Sequence, residues 1–169
     1  MNSLDKQYQD LLQDILDNGT VKKTRNGGTI SVFGRQIRYN MQEGFPLLTS
    51  KKMAFKQIVT ELLWFFRGET NIQSLVQDGN YIWVGDAYKK YSVYAGSLEE
   101  PDYDVHIDDP AQNKTRIMTR KEFIDRIKTN DDFAQKFGEL GPIYAHCWRN
   151  WNGKYNNELY NDYLAKVKK

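Results

Sequence analysis

Only one stretch of this 169-residue chain, TISVFGRQIRYNM at residues 29 to 41, is dense in β-branched and aromatic residues. A lone strand cannot make a stable sheet. The chain must therefore fold largely as helices, or as part of something that supplies further strands. Within that stretch the inward set passes from Ile30 and Val32 to Phe33, Ile37 and Tyr39 around Gly34. A slip of that kind predicts a β-bulge at the glycine. The preceding VKKTRNGGT reads as a basic, glycine-bearing loop.

Helical periodicity accounts for most of the rest. Leu4, Tyr8, Leu11, Leu12, Ile15 and Leu16 share one face of a helix that Gly19 stops. After the turn GFPLLTSKK, a helix is predicted from Ala54 to Arg67, ended by Gly68. Its Phe55, Ile58, Val59, Leu62, Leu63 and Phe66 form a broad apolar stripe, the kind of face that a globular helix turns toward a core. A short helix near Ile72 to Gln77 follows, then an aromatic segment from Tyr81 to Tyr94. Residues 97–118 are acidic and turn-rich and read as an inserted loop or small subdomain. Thr119 and Glu122 have capping-box spacing ahead of Phe123, Ile124 and Ile127. Asp131 to Phe137 reads as a short helix ended by Gly138, and Leu159 to Val167 as an amphipathic segment. The class is α+β, one domain over residues 1–169.

Bulk properties narrow the function. A net charge of +2, with acids and bases interspersed, is too mild for a nucleic-acid-coating surface. No apolar run approaches the roughly 18 to 20 residues of a membrane span, and MNSLDKQYQD is too polar for a secretory signal. The single cysteine excludes an internal disulfide framework and fits a reducing compartment. The expectation is a cytoplasmic protein.

Several positions invite a chemical reading. Glu61 sits at the edge of the apolar stripe, beside Ile58 and Phe65. It is either a half-desolvated acid or base, or a boundary side chain reaching water. Arg25, between backbone-exposing glycines, is either an anion ligand or part of a solvated turn. Trp83 can stack on a planar ligand or fill a core, and Tyr144 carries the same ambiguity, as does Trp148. Cys147 has His146 beside it, but adjacent side chains diverge on both helices and strands. Its aromatic flanks favour a buried, inert thiol. Asp102, Asp104, His106 and Asp108 match neither an EF-hand nor a zinc spacing, so no metal site is expected.

Five fragments in order, YQDLLQDILDNGT, TRNGGTISVFGRQIRYNMQEGFPLLTSKK, TELLWFFRGETNIQSL, IWVGDAY and FGELGPIYAHCWRNW, resemble the thymidylate synthases and the related deoxypyrimidine hydroxymethylases. The likeness covers residues 5–151 and implies the N-terminal portion of that fold. It implies a dUMP-type nucleotide as substrate and 5,10-methylenetetrahydrofolate as one-carbon donor, in proteins that are homodimers. By the same resemblance Arg25 is the phosphate ligand and Glu61 the proton relay. Trp83 borders nucleotide and folate, and Tyr144 lines the pocket.

The family's nucleophile lies in a proline–cysteine–histidine tripeptide that these 169 residues lack, which leaves Cys147 outside that role. The expectation is a chain truncated before the catalytic cysteine and inactive alone. A second chain carrying the C-terminal half is one completion, in a split dUMP or dCMP hydroxymethylase or synthase. A non-catalytic nucleotide-binding module and an unproductive fragment are the alternatives. Three departures from the family pattern stand out. The glycine loop is one residue short, Val84 and Asp86 replace an acid and a second tryptophan, and Ala54 replaces a histidine.

Overall fold

The computed structural model describes residues 2–24, 27–100, 102, 105–109, 111, 114–151, 155, 161 and 165. The chain divides into two compact units, Met1–Ala54 and Phe55–Lys169. Arg25 and most of the predicted segment from Leu159 to Val167 lie outside the described residues. Among the described residues no helix is long and apolar enough to cross a membrane.

In the first unit, α1 (Ser3–Asn18) starts where the Asn2 side chain accepts from the Asp5 backbone N–H, and it ends at Gly19. Antiparallel β1 (Thr20–Thr24) and β2 (Gly27–Ser31) follow, paired from Thr20 opposite Ser31 to Thr24 opposite Gly27. The expected basic loop is thus largely a hairpin. The expected bulged strand is also corrected: pairing stops at Ser31, and Gly34, at φ 70°, turns the chain beyond the ladder. The cause is the partner. The residue facing the position after Ser31 would be Gly19, which closes α1 and whose Cβ would lie 2.3 Å from the Ile15 carbonyl oxygen.

Asp5 is the unit's buried charge. It accepts from the Thr49 hydroxyl, from Thr49 N at 2.8 Å and from Ser50 N at 3.1 Å. The Thr49 hydroxyl bond, aided by the two backbone donors, holds its carboxyl below the usual range against the opposing effect of burial. One side chain therefore ties the start of α1 to the loop that ends the unit.

The second unit contains α2 (Phe55–Arg67), α3 (Gln73–Gln77), α4 (Val84–Gly96), α5 (Arg120–Thr129), α6 (Asp131–Phe137) and α7 (Tyr144–Arg149). The aromatic segment is mainly α4. Inside the acidic stretch expected to be a loop, β3 (His106–Asp109) pairs antiparallel with β4 (Lys114–Ile117). The helices with two short hairpins make the class α+β. The core is aromatic: the Tyr91 ring lies 5.1 Å from Phe123 and 5.4 Å from Phe137. The Tyr91 hydroxyl donates to the Val105 carbonyl at 2.7 Å and accepts from Met118 N at 3.0 Å, so α4 grips both strands at the open end of the hairpin.

The predicted capping box is present on α5. Glu122 accepts from Thr119 N at 2.7 Å, and from Arg116 Nη1 at 2.9 Å and Nη2 at 2.8 Å. The Arg116 hydrogen bonds, then those from Thr119, hold the Glu122 carboxyl at about 2. A carboxyl depressed in the fold adds stability above its ordinary value of 4.5, and loses it as pH falls toward 2. The side chain is partly solvated, which limits the contribution to about 1 kcal/mol. Urea midpoints should therefore fall less steeply between neutral and acid pH in Glu122→Gln than in the parent. Equal slopes would exclude this pair as an acid-labile contact.

Candidate functional site

The second unit gathers three of the sequence candidates. The helical path of α2 puts Gln57, Thr60, Glu61 and Trp64 along one side, and each meets a specific partner. Asn80 Nδ2 donates to the Gln57 carbonyl at 2.9 Å and the Thr60 hydroxyl at 3.0 Å, fixing the turn that leads into α4. Gly79, at φ 78°, permits that turn. Trp83 then caps α4, and its indole Nε1 donates to Glu61 Oε1 at 2.8 Å. Glu61 and Trp83 are both half-buried.

Tyr144 opens α7, its ring 6.1 Å from Trp83 and 5.7 Å from Phe65. It is 58% exposed and offers an open aromatic face beside the indole that holds the Glu61 carboxylate. Gly68 sits at φ 75°, and a Cβ there would come within 3.1 Å of Arg149 Cγ. A side chain at Gly68 would thus strain the end of α2 and crowd the Arg149 side chain on α7.

The segment delivering Tyr144 is pinned from several directions, which the sequence reading missed. Ile72 N donates to the Gly138 carbonyl at 2.9 Å, and Leu140 N to the Thr70 carbonyl at 3.0 Å. Lys90 Nζ, on α4, donates to the Leu140 carbonyl at 2.8 Å. Burial pushes the Lys90 ammonium down, opposed by the charges of Glu139 and Asp86. Glu139 is buried and accepts from Gly141 N at 2.9 Å. A buried glutamate beside two glycines was the available signal. Phe65, whose ring lies 5.4 Å from Trp148 as well as against Tyr144, was another omission.

Cys147 stands one turn after Tyr144 on α7 and is half-buried, not enclosed as its aromatic flanks suggested. The flanking Trp148 is itself 53% exposed, on the open side of this short helix. The His146 ring packs edge-on against Tyr155, 5.2 Å away, and as the next residue on a helix it diverges from the thiol. Val84 is buried in the core, and Asp86 lies exposed in the first turn of α4. Among the described residues no group of three or more His, Cys, Asp or Glu side chains could hold a metal ion.

The site is therefore a half-buried carboxylate, oriented by an indole N–H, beside an open tyrosine ring. The aromatic faces suit a planar ring, and the carboxylate suits proton exchange with it.

A thymidylate synthase family model matches residues 6–169. A curated thymidylate synthase from Listeria innocua is 44% identical over 150 residues, covering 86% of this chain and 48% of that protein. The thymidylate synthase of Phytoplasma mali is 42% identical over 163 residues, covering 96% of this chain and 49% of its own length. That of Malacoplasma penetrans is 44% identical over 149 residues, 88% of this chain and 45% of that protein. The chain thus spans about half the length of the curated relatives it matches. With the fold and these matches in agreement, the chain belongs to the thymidylate synthase family.

Proposed function

We propose that this chain forms one side of a site that transfers a one-carbon unit to C5 of a dUMP-type nucleotide. The observation that carries this reading is the Trp83–Glu61 hydrogen bond at 2.8 Å with the Tyr144 ring alongside. Glu61 exchanges protons with the pyrimidine, at O4 and at the one-carbon adduct. Trp83 and Tyr144 wall the planar rings, and Arg25 holds the phosphate as a forked donor. Methylenetetrahydrofolate, when bound, supplies the one-carbon unit.

The thiol that adds to C6 comes from family sequence other than these 169 residues. They contain no proline–cysteine–histidine tripeptide, and the histidine beside their one cysteine, Cys147, is its neighbour on α7, where adjacent side chains diverge. Alone, the chain binds nucleotide but does not turn it over.

The test is tritium release from 5-tritiated dUMP with methylenetetrahydrofolate, run beside equilibrium binding of dUMP. Release by the 169-residue chain, abolished in Cys147→Ser, would overturn the reading of the thiol. Arg25→Ala is expected to weaken dUMP binding about 10-fold or more, the cost of one charge-assisted contact. Unchanged affinity would remove Arg25 from the site.

The sequence supports a second reading, a hydroxymethylase product, because Val84 and Asp86 stand where synthases usually place an acid and a second tryptophan. Identifying methyl or hydroxymethyl on the nucleotide made by the assembled enzyme separates the two.

A further inference from the structure

We propose that Asn80 is a positioning residue. Its buried side-chain amide sets the distance at which Trp83 meets Glu61, so the carboxylate is oriented before a ligand arrives. The proposal rests on the reading of Glu61 as the group that exchanges protons with the nucleotide.

One hydrogen bond between two half-buried side chains fixes little by itself. A glutamate has several rotamers, and holding it in one costs entropy. A group that moves protons has to stay within about 0.5 Å of its working place, which takes supporting contacts behind it. Asn80 supplies them. It is only 2% exposed, although polar. Its Nδ2 donates to the Gln57 carbonyl and to the Thr60 hydroxyl, both on α2. Its Oδ1 accepts from Ile82 N at 3.2 Å, and its backbone N donates to the Leu75 carbonyl at 2.8 Å, which ties it to α3.

What matters is where these bonds end. Gln57 lies one helical turn before Glu61, and Thr60 is the residue before it. Ile82 is the residue before Trp83. The amide therefore bridges α2 and the start of α4 beside the Glu61–Trp83 bond, one residue short of it at each end. The Thr60 hydroxyl also donates to the Gln57 carbonyl at 3.1 Å, so the anchor on α2 is itself fixed. Both N–H groups and the carbonyl of the asparagine are in use. An aspartate of the same shape offers no donor, and a leucine offers neither donor nor acceptor. A residue that only filled this space would avoid the cost of burying an amide.

The experiment follows the indole N–H signals of the isotope-labelled 169-residue chain by NMR. In Asn80→Ala the Trp83 indole N–H should exchange with solvent about tenfold faster or more, as for a hydrogen bond no longer held. The Trp64 indole N–H, bonded to the Asn71 carbonyl at 3.0 Å, should keep its rate and so reports on the core. Equal acceleration of both indoles overturns the proposal, and so does an unmoved Trp83. If Asn80→Ala does not fold, Thr60→Val removes one acceptor at nearly constant shape and should give the same pattern more weakly. Turnover is the second readout. In the assembled enzyme Asn80→Ala should lower kcat about tenfold with KM for dUMP little changed, and lower it no further in the Trp83→Phe background. Losses that multiply would show that Asn80 does not act through Trp83, which also overturns the proposal. Faster exchange at Trp83 together with full turnover by Glu61→Gln keeps Asn80 as the residue that sets the indole and removes the proton-exchange reading.

Discussion

Replacing Glu61 by glutamine is expected to cut turnover by about 10²- to 10⁴-fold in the assembled enzyme, the range for losing a positioned acid or base. The variant is informative because it changes little else. Glutamine keeps a carbonyl oxygen that can accept the Trp83 indole N–H, now at 2.8 Å from Glu61 Oε1, so the wall of the pocket stays in register. What disappears is the ability to take up and return a proton. Nucleotide affinity should therefore fall little while the chemical step collapses, a loss in kcat more than in KM. Trp83→Phe provides the contrast. It leaves the carboxylate and removes only the orienting donor, so a smaller loss of turnover is expected. Turnover of Glu61→Gln close to the parent's would remove Glu61 from the proton path, however well placed it is.

How much of this was legible from the sequence differs by kind of signal. Local chemistry was readable. The Thr119–Glu122 box caps α5, and Gly19, Gly68 and Gly138 stand where helices end. Each depends on a few neighbouring residues, so a short window contains the cause. The α+β class followed from the same signals. Strands were harder. β1 carries two lysines and all five of its residues are exposed, while β3 is half aspartate. Neither shows the buried alternation that marks a strand, since strand preference mostly reflects packing.

The orientation of α2 was not readable at all. Counting apolar residues put the core on the side of Phe55, Leu63 and Phe66, yet the fully buried residue is Trp64, on the other side. Periodicity reports that a face is apolar, not which partner covers it. The site lay between these extremes. Glu61 was placed at the stripe's edge, but its partner Trp83 is 22 residues away and reaches it only through the Gly79–Asn80 turn. Family likeness named both residues; only the fold joins them.

Trp64→Ala should be the most destabilising single change in the second unit. The side chain is fully buried, with its ring centroid 5.4 Å from that of Phe65. Large-to-small changes at such positions cost about 3–5 kcal/mol. The indole also donates to the Asn71 carbonyl at 3.0 Å, and losing a buried donor adds about 1–3 kcal/mol. Against a total stability of about 5–15 kcal/mol, the alanine chain should be largely unfolded at moderate urea.

The two contributions can be separated. Trp64→Phe restores most of the volume and omits the N–H, so its loss should be near the hydrogen-bond figure alone. The effect should also reach the site. Asn71 Nδ2 donates to the Ala134 carbonyl at 2.7 Å, and Gly138 is so close that a Cβ would lie 2.6 Å from Asn71 Oδ1. Trp64 thus steadies the contact through which the 138–143 segment delivers Tyr144. In Trp64→Phe, amide exchange should accelerate at Leu140 and Ile143 before it does in α5, which has its own capping box. Uniform acceleration across the unit would mean that the indole stabilises the core as a whole and has no separate hold on the Tyr144 segment.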